Sequence, residues 1–283
     1  MEKIIKLYKE TIRENIEDLE KILRNDIKVN NPAVNEQLIK LLNISCENLT
    51  SKWASGRKYV RTLYVKKAFS NYPENILKLS ISIDAIINLL DDVLDEQMNK
   101  QTKTLYLVEL IRIFSIYNYQ KFNEKISNAI GNYFNKIISI AILEEIYKSL
   151  IKSESDFEKI IQYSVQIYDC RSLDIDIYTE LPMIELEYNK NDYDKILKIS
   201  RIFRAVNLIK KDIGDIRHDK ENETETVMTI FYDGGKIENE VKKILKIYKD
   251  RADEILLNEE IKEINNFYRM INEEIDMINK IDL

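Results

Sequence analysis

Asp91, Asp92 and Asp95 set three carboxylates within five residues, inside the stretch LKLSISIDAIINLLDDVLDEQ from Leu77 to Gln97. On a helix, Asp91 and Asp95 sit one turn apart on the same face, with Asp92 about 100° round from Asp91. Leu79, Ile83, Ile86, Ile87, Leu90 and Leu94 form an apolar stripe that Ile81, Leu89 and Val93 widen. Such a helix is apolar nearly all round and is expected to be largely buried. Carboxylates in that setting are costly unless paired or bound to a cation. Mg²⁺ takes oxygen ligands and commonly joins one or two carboxylates to substrate phosphates. The alternative is a solvated acidic helix end, since Glu96 and Asn99 follow.

A second cluster lies more than a hundred residues on, in LKISRIFRAVNLIKKDIGDIRHDKE from Leu197 to Glu221. Asn207, Lys211, Asp215 and Asp219 recur every four residues and drift slowly round one face, with Asp212 beside them. Ile202, Phe203, Val206, Ile209, Ile213 and Ile216 are apolar on the other faces. Gly214 costs a helix roughly 1 kcal/mol relative to Ala, so it is expected where a ligand or another helix approaches closely. The competing reading is an exposed helix end laced with pairs such as Lys211 with Asp215. His218 is the only histidine and reads as a surface residue near a helix end. Several antiparallel helices fit between the clusters. The two carboxylate faces are therefore expected to meet across the mouth of a bundle cavity, a common place for metal sites.

The elements that must position these groups are helices. Apolar residues recur at helical spacing near 2–24, 33–48, 58–71, 75–99, 103–118, 121–152, 155–177, 191–218, 236–256 and 258–281. Breaks are expected at Asn30-Asn31-Pro32, Asn71-Tyr72-Pro73, Leu181-Pro182, Asn189 to Asp192 and Asp233-Gly234-Gly235. The chain has only 5 Gly and 3 Pro in 283 residues, which favours long helices over tight β turns. No linker divides it, so residues 1–283 read as a single all-α domain, an antiparallel helical bundle around a central apolar cavity.

Composition narrows the chemistry. A formal net charge of −6 leaves no basic footprint for nucleic acid. Cys46 and Cys170 cannot make a zinc site or a disulfide framework, and one histidine argues against a Ser-His-Asp triad. The longest strongly apolar run, Ile137 to Leu143, is too short to span a bilayer. The N-terminus lacks the apolar core of a signal peptide. The expectation is a soluble, cytoplasmic protein.

At this level the residues resemble the class I isoprenoid synthases, the trans-prenyl diphosphate synthases and terpene cyclases, over roughly residues 50–256. Gly56-Arg57-Lys58-Tyr59-Val60-Arg61-Thr62 is similar to the segment with which prenyl synthases hold isopentenyl diphosphate, keeping Lys58 and Arg61. Asp91-Asp92-Val93-Leu94-Asp95 resembles the first Asp-rich motif, which binds Mg²⁺. Lys211-Asp212-Ile213-Gly214-Asp215 stands where prenyl synthases carry the second. Read in the cyclase manner, Asn207, Lys211 and Asp215 take the three positions of the second metal motif, and a register one turn later ends at Asp219. Lys211 thus stands in a ligand position, as a cation that repels Mg²⁺ or itself faces the diphosphate. Arg171 falls where cyclases carry a diphosphate-sensing arginine. Asp174, three residues on, would put Ile175 at a helix break.

The resemblance implies two or three Mg²⁺ ions held by Asp91, Asp92, Asp95, Asn207, Asp212, Asp215 and Asp219. The diphosphate would be contacted by Arg171, Lys211, Arg217, Lys58 and Arg61, with Asp91, Asp92, Asp95 and Arg171 as the catalytic set. The substrate would be a prenyl diphosphate, with a homodimer as the family's common assembly. The carbocation needs a dry pocket, for which Phe203, Tyr163, Tyr168, Tyr178 and Phe231 are the aromatic candidates. Three readings stay open. A terpene synthase would act on farnesyl or geranylgeranyl diphosphate alone. A prenyltransferase would add isopentenyl diphosphate to an allylic primer. A non-catalytic helical partner would keep the fold without turnover.

Overall fold

The computed structural model of the protein describes residues 61–95, 123–235, 237–257 and 260–281, with isolated positions 10, 21 and 36. Side chains are described at these positions except 85, 86, 89–95, 138 and 141. Nine α-helices and one 3₁₀ segment fall among the described residues, and no β-strand does. In order they are α1 (Arg61–Ala68), α2 (Glu74–Asp95), α3 (Glu124–Ser153), α4 (Phe157–Arg171), the 3₁₀ turn (Ser172–Ile175), α5 (Asp176–Glu185), α6 (Lys190–Glu221), α7 (Val227–Asp233), α8 (Ile237–Leu256) and α9 (Lys262–Ile278). The all-α expectation therefore holds. The helices expected near 2–24, 33–48 and 103–118 lie outside the described residues, apart from the single positions 10, 21 and 36. No described helix is long and apolar enough to cross a membrane.

Two compact units make up the chain: Met1–Lys66 with Tyr72–Asn123, and Lys67–Asn71 with Glu124–Leu283. In the first, α2 is buried on more than one face, with Ile76, Leu79, Ile83 and Ile87 along one stripe and Leu77, Ser80, Ile81 and Asp84 beside it. Asp84 is fully buried and accepts hydrogen bonds from Arg61 Nη1 (3.1 Å), the Thr62 backbone N–H (3.2 Å) and Thr62 Oγ1 (3.1 Å). Through the Thr62 N–H it ties the first described turn of α1 to α2. Burial pushes the Asp84 carboxyl above its ordinary value even though Arg61 pulls it down.

In the second unit α4, α5, α7, α8 and α9 pack against α6, which is about 48 Å long at 1.5 Å per residue, while α3 packs against α4 and α5. Asn189 caps it by accepting from the Asp192 N–H at 3.1 Å. Its apolar positions Ile196, Ile199, Phe203, Val206 and Ile213 are buried. α9 lies along it through Ile264, Phe267, Ile271 and Ile278, spaced three, four and seven apart, with Phe267 against Phe203 at 5.9 Å.

Two expected features take a different form. Leu181-Pro182 was expected to break the chain, yet Pro182 lies inside α5. The helix survives because Ile177, Tyr178, Leu181 and Met183 are all fully buried, and the Pro182 carbonyl still accepts from Leu186 N–H at 2.9 Å. Gly214 was expected at a close approach, yet nothing lies within 4 Å of where its Cβ would be. It sits on the exposed side of α6, so close packing is not what keeps it free of a side chain.

Both α5 and α6 end in the same way. Tyr188 N–H bonds the Met183 carbonyl and Glu187 N–H the Ile184 carbonyl. Thr224 N–H bonds the Asp219 carbonyl and Glu223 N–H the Lys220 carbonyl. These are Schellman caps, and the left-handed residue that usually calls for glycine is Glu187 (φ 54°) in one and Glu223 (φ 55°) in the other.

Candidate active site

Where a break was expected near Ile175, the chain stays right-handed helical and only the type of helix changes. α4 tightens into the 3₁₀ turn at Ser172, and α5 starts at Asp176. Such a change of helix type shifts side-chain directions and leaves a carbonyl short of a partner. Tyr133 from α3 supplies one, its hydroxyl donating to the Asp174 carbonyl at 2.9 Å.

Around this turn the charged side chains face α6 in register. Arg171 reaches Asp212 with both Nη atoms, at 2.5 and 3.2 Å. Asp174 takes Arg204 through Nε (2.7 Å) and Nη2 (2.6 Å). Asp176 takes Arg201 through Nε and Nη2, both at 2.7 Å, and Lys136 of α3 at 2.7 Å. Going up the first segment, the partners on α6 descend from Asp212 to Arg204 to Arg201, so the two segments run in opposite directions. Arg201 and Arg204 were not anticipated. Their only trace in the sequence is two arginines inside the largely apolar run from Ile199 to Ile209, which also holds Ser200 and Asn207.

Asp212 is 3% exposed and also accepts from the Tyr168 hydroxyl at 3.0 Å. Burial first, then the field of Asp212, raises the Tyr168 phenol far above its ordinary value, so it stays a donor. Burial pulls the Arg171 guanidinium down, but the carboxylates of Asp212 and Glu144 outweigh it and hold it above its usual value. Glu144 lies 3.8 Å from Arg171 Nε. Asn207 is fully buried; its Oδ1 accepts from Arg204 Nη1 at 2.8 Å and its Nδ2 faces Glu274.

The ladder of Asn207, Lys211, Asp215 and Asp219 therefore climbs from the interior to the surface. Lys211, Asp215 and Asp219 are half-buried. Partial burial raises the Asp219 carboxyl, and the negative fields of Asp215 and Asp212 add to this. Arg217 is exposed and pairs with Glu221 at 3.1 Å, and His218 is exposed as expected. Arg61 points its Nη1 at Asp84, as described for the first unit. Lys58 lies outside the described residues. So do the side chains of Asp91, Asp92 and Asp95, whose backbone forms the last turn of α2.

The oxygen donors of α6 fit Mg²⁺ unevenly. Asp215 and Asp219 are accessible carboxylates, the donor type that Mg²⁺ selects. Asn207 and Asp212 are instead satisfied by guanidinium groups in the folded chain. Among the described residues, no three His, Cys, Asp or Glu side chains form a group that could hold a metal ion. Of the aromatic candidates, Phe203, Tyr168, Tyr178 and Phe231 are buried and Tyr163 is half-buried against Tyr147. None of the five lines either of two clefts in the second unit, about 760 and 560 Å³.

No family model matches the chain, and neither a curated protein nor a solved structure matches it.

Proposed function

We propose that the protein is a Mg²⁺-dependent class I terpene synthase that ionises an allylic prenyl diphosphate. The observation that carries this reading is the change of helix type directly after Arg171, with Arg171 laid across to Asp212 on α6. An arginine followed by a helix break is one part of the arrangement that the resemblance implies; here the helix only changes type, and Asp174, which would link the two, is held by Arg204 instead. The reading keeps Asp91, Asp92 and Asp95 as Mg²⁺ ligands and, on α6, Asp215 and Asp219. Bound Mg²⁺ would neutralise the charge gathering on the departing diphosphate. Arg171 would donate paired N–H groups to the diphosphate oxygens, exchanging one oxyanion partner for another. Lys211, half-buried on the same helix, would add a second positive charge. Tyr168 would keep Asp212 anchored while Arg171 turns. The bundle with an apolar cavity and the homodimer belong to the same proposal.

A second reading has its own observation. Asn207 and Asp212 are held by Arg204 and Arg171, and Lys211 stands in a ligand position. A chain that had given up metal binding at α6 would have these features, and it would serve as a non-catalytic helical partner.

The test is incubation with farnesyl and geranylgeranyl diphosphates and Mg²⁺, with and without isopentenyl diphosphate. Hydrocarbon or alcohol formed without isopentenyl diphosphate supports the synthase. A longer diphosphate formed only with it transfers the assignment to a prenyltransferase. No turnover of either primer leaves the helical partner. If a product forms, Asp91→Ala/Asp92→Ala must abolish it, and an unchanged rate removes the metal role of those residues.

A further inference from the structure

A second basic site lies on the other side of α4. Asp169 and Arg171 are two residues apart, about 200° round the helix, so Asp169 faces away from the Arg171–Asp212 pair. The 560 Å³ cleft on that side is lined by α4, the 3₁₀ turn, α6 and α8. Lys198, Arg201 and Arg251 all line it, against the carboxylates of Asp169 and Glu254. The lining thus carries three cations and two anions, with Asp176 behind it holding Arg201.

The cations carry donors that no acceptor among the described residues uses. Arg201 commits Nε and Nη2 to Asp176, and its Nη1 has no partner among the described residues. Arg251 gives Nη1 to both oxygens of Asp169, at 3.0 Å each, and its Nε and Nη2 have no such partner. Lys198 Nζ is likewise without one, on an exposed side chain. The carboxylate behind each arginine fixes its plane, so little side-chain freedom is lost when an anion takes the remaining N–H groups. Leu173, Ile202 and Ile255 give the cleft an apolar wall.

We propose that this cleft binds a small phosphate monoester carrying a short apolar group. Lys198, Arg201 and Arg251 take the phosphate oxygens, and Leu173, Ile202 and Ile255 take the organic part. Three separate cations suit the three terminal oxygens of a phosphate monoester better than the two of a carboxylate. The site does not rest on the reaction assigned above, and its test reads binding rather than turnover.

Cys170 lines the same cleft and reports on it. Its thiol is half-buried and pushed up by burial and by Asp169, so it reacts slowly and any cover over it is readable. The intact chain is treated with N-ethylmaleimide and increasing phenyl phosphate, with labelling of Cys170 and Cys46 read by mass spectrometry. Isothermal titration of phenyl phosphate into the unlabelled chain measures the same binding without the thiol. Saturable binding is expected, and Cys170 labelling should slow roughly tenfold at ten times the Kd, where only about a tenth of the sites is empty. Lys198→Gln, at an exposed side chain, should raise the half-saturating concentration roughly tenfold. Benzoate should need a higher concentration than phenyl phosphate. The proposal is overturned if neither heat nor protection appears at about 10 mM probe, the range of a very weak complex. It is overturned equally if Lys198→Gln leaves the half-saturating concentration unchanged, or if benzoate or benzyl alcohol is as potent as phenyl phosphate.

Discussion

Replacing Arg204 by Met should be one of the most damaging single changes in the second unit. Arg204 is 4% exposed, and its guanidinium makes three hydrogen bonds, two to Asp174 and one to Asn207. Met fills the stem volume without the charge, so the packing loss is small. What remains is a buried Asp174 carboxylate without its counter-ion, a change that costs about 3–5 kcal/mol in buried pairs. The Asn207 Oδ1 also loses its donor in a fully buried position, at about 1 kcal/mol or more. A loss of about 5 kcal/mol is therefore expected, read as a lowered midpoint in urea by circular dichroism at constant slope. For a domain of this size it corresponds to a fall in Tm of roughly 10–15 °C. The decisive comparison is Arg204→Met with Asp174→Leu. Removing the stranded carboxylate should recover about 3 kcal/mol, because an apolar replacement of a buried pair is nearly neutral. A double variant no more stable than Arg204→Met would refute the argument. So would a single variant within about 1 kcal/mol of the parent chain, the range of an ordinary surface change.

The other expectations are smaller or more local. Gly214→Ala should stabilise α6 by about 0.5–1 kcal/mol, since a Cβ there meets open space, and any loss in a melt would contradict that. Glu223→Gly should stabilise by up to about 1 kcal/mol by relieving the left-handed backbone at the end of α6, and a destabilised variant would show that the Glu side chain matters there. Arg61→Ala should cost about 3 kcal/mol by stranding the fully buried Asp84; a change in substrate KM with stability intact would restore Arg61 as a binding residue. Asp219 should titrate above an ordinary aspartate in carboxyl-detected NMR, and Asp215→Asn should bring it down. Because the folded chain holds that proton more tightly, its contribution to stability is complete below the ordinary value of about 3.9 and is lost as pH rises to the raised folded value. An Asp219 indifferent to Asp215→Asn would mean that the two carboxylates do not share a field.

The helical period of the apolar residues was enough to place α2, α3, α6, α8 and α9, because a stripe that must be buried repeats at the helix's own spacing. The breaks at Asn189 to Asp192 and at Asp233-Gly234-Gly235 were equally legible, since both depend on local backbone preference. α5 and α7 were not. Pro182 reads as a breaker until tertiary burial outweighs it. α7 is only seven residues long, and its capping box is built from Thr226 and Thr229. The ends of α5 and α6 use Glu where the left-handed position favours Gly, so no glycine marked them.

The charged groups divide along the same line. That Asp212, Asp215 and Asp219 are candidates for chemistry could be read from residue type and spacing along one helix, and Arg171 and Asp174 from the family resemblance. Which cation meets which anion could not. The partnerships of Arg171 with Asp212, Arg204 with Asp174 and Arg201 with Asp176 join residues 41, 30 and 25 apart. Spacing along one helix fixes only which side chains share its face. The register between two packed helices is set by how their side chains interlock, and that exists only once the chain has folded.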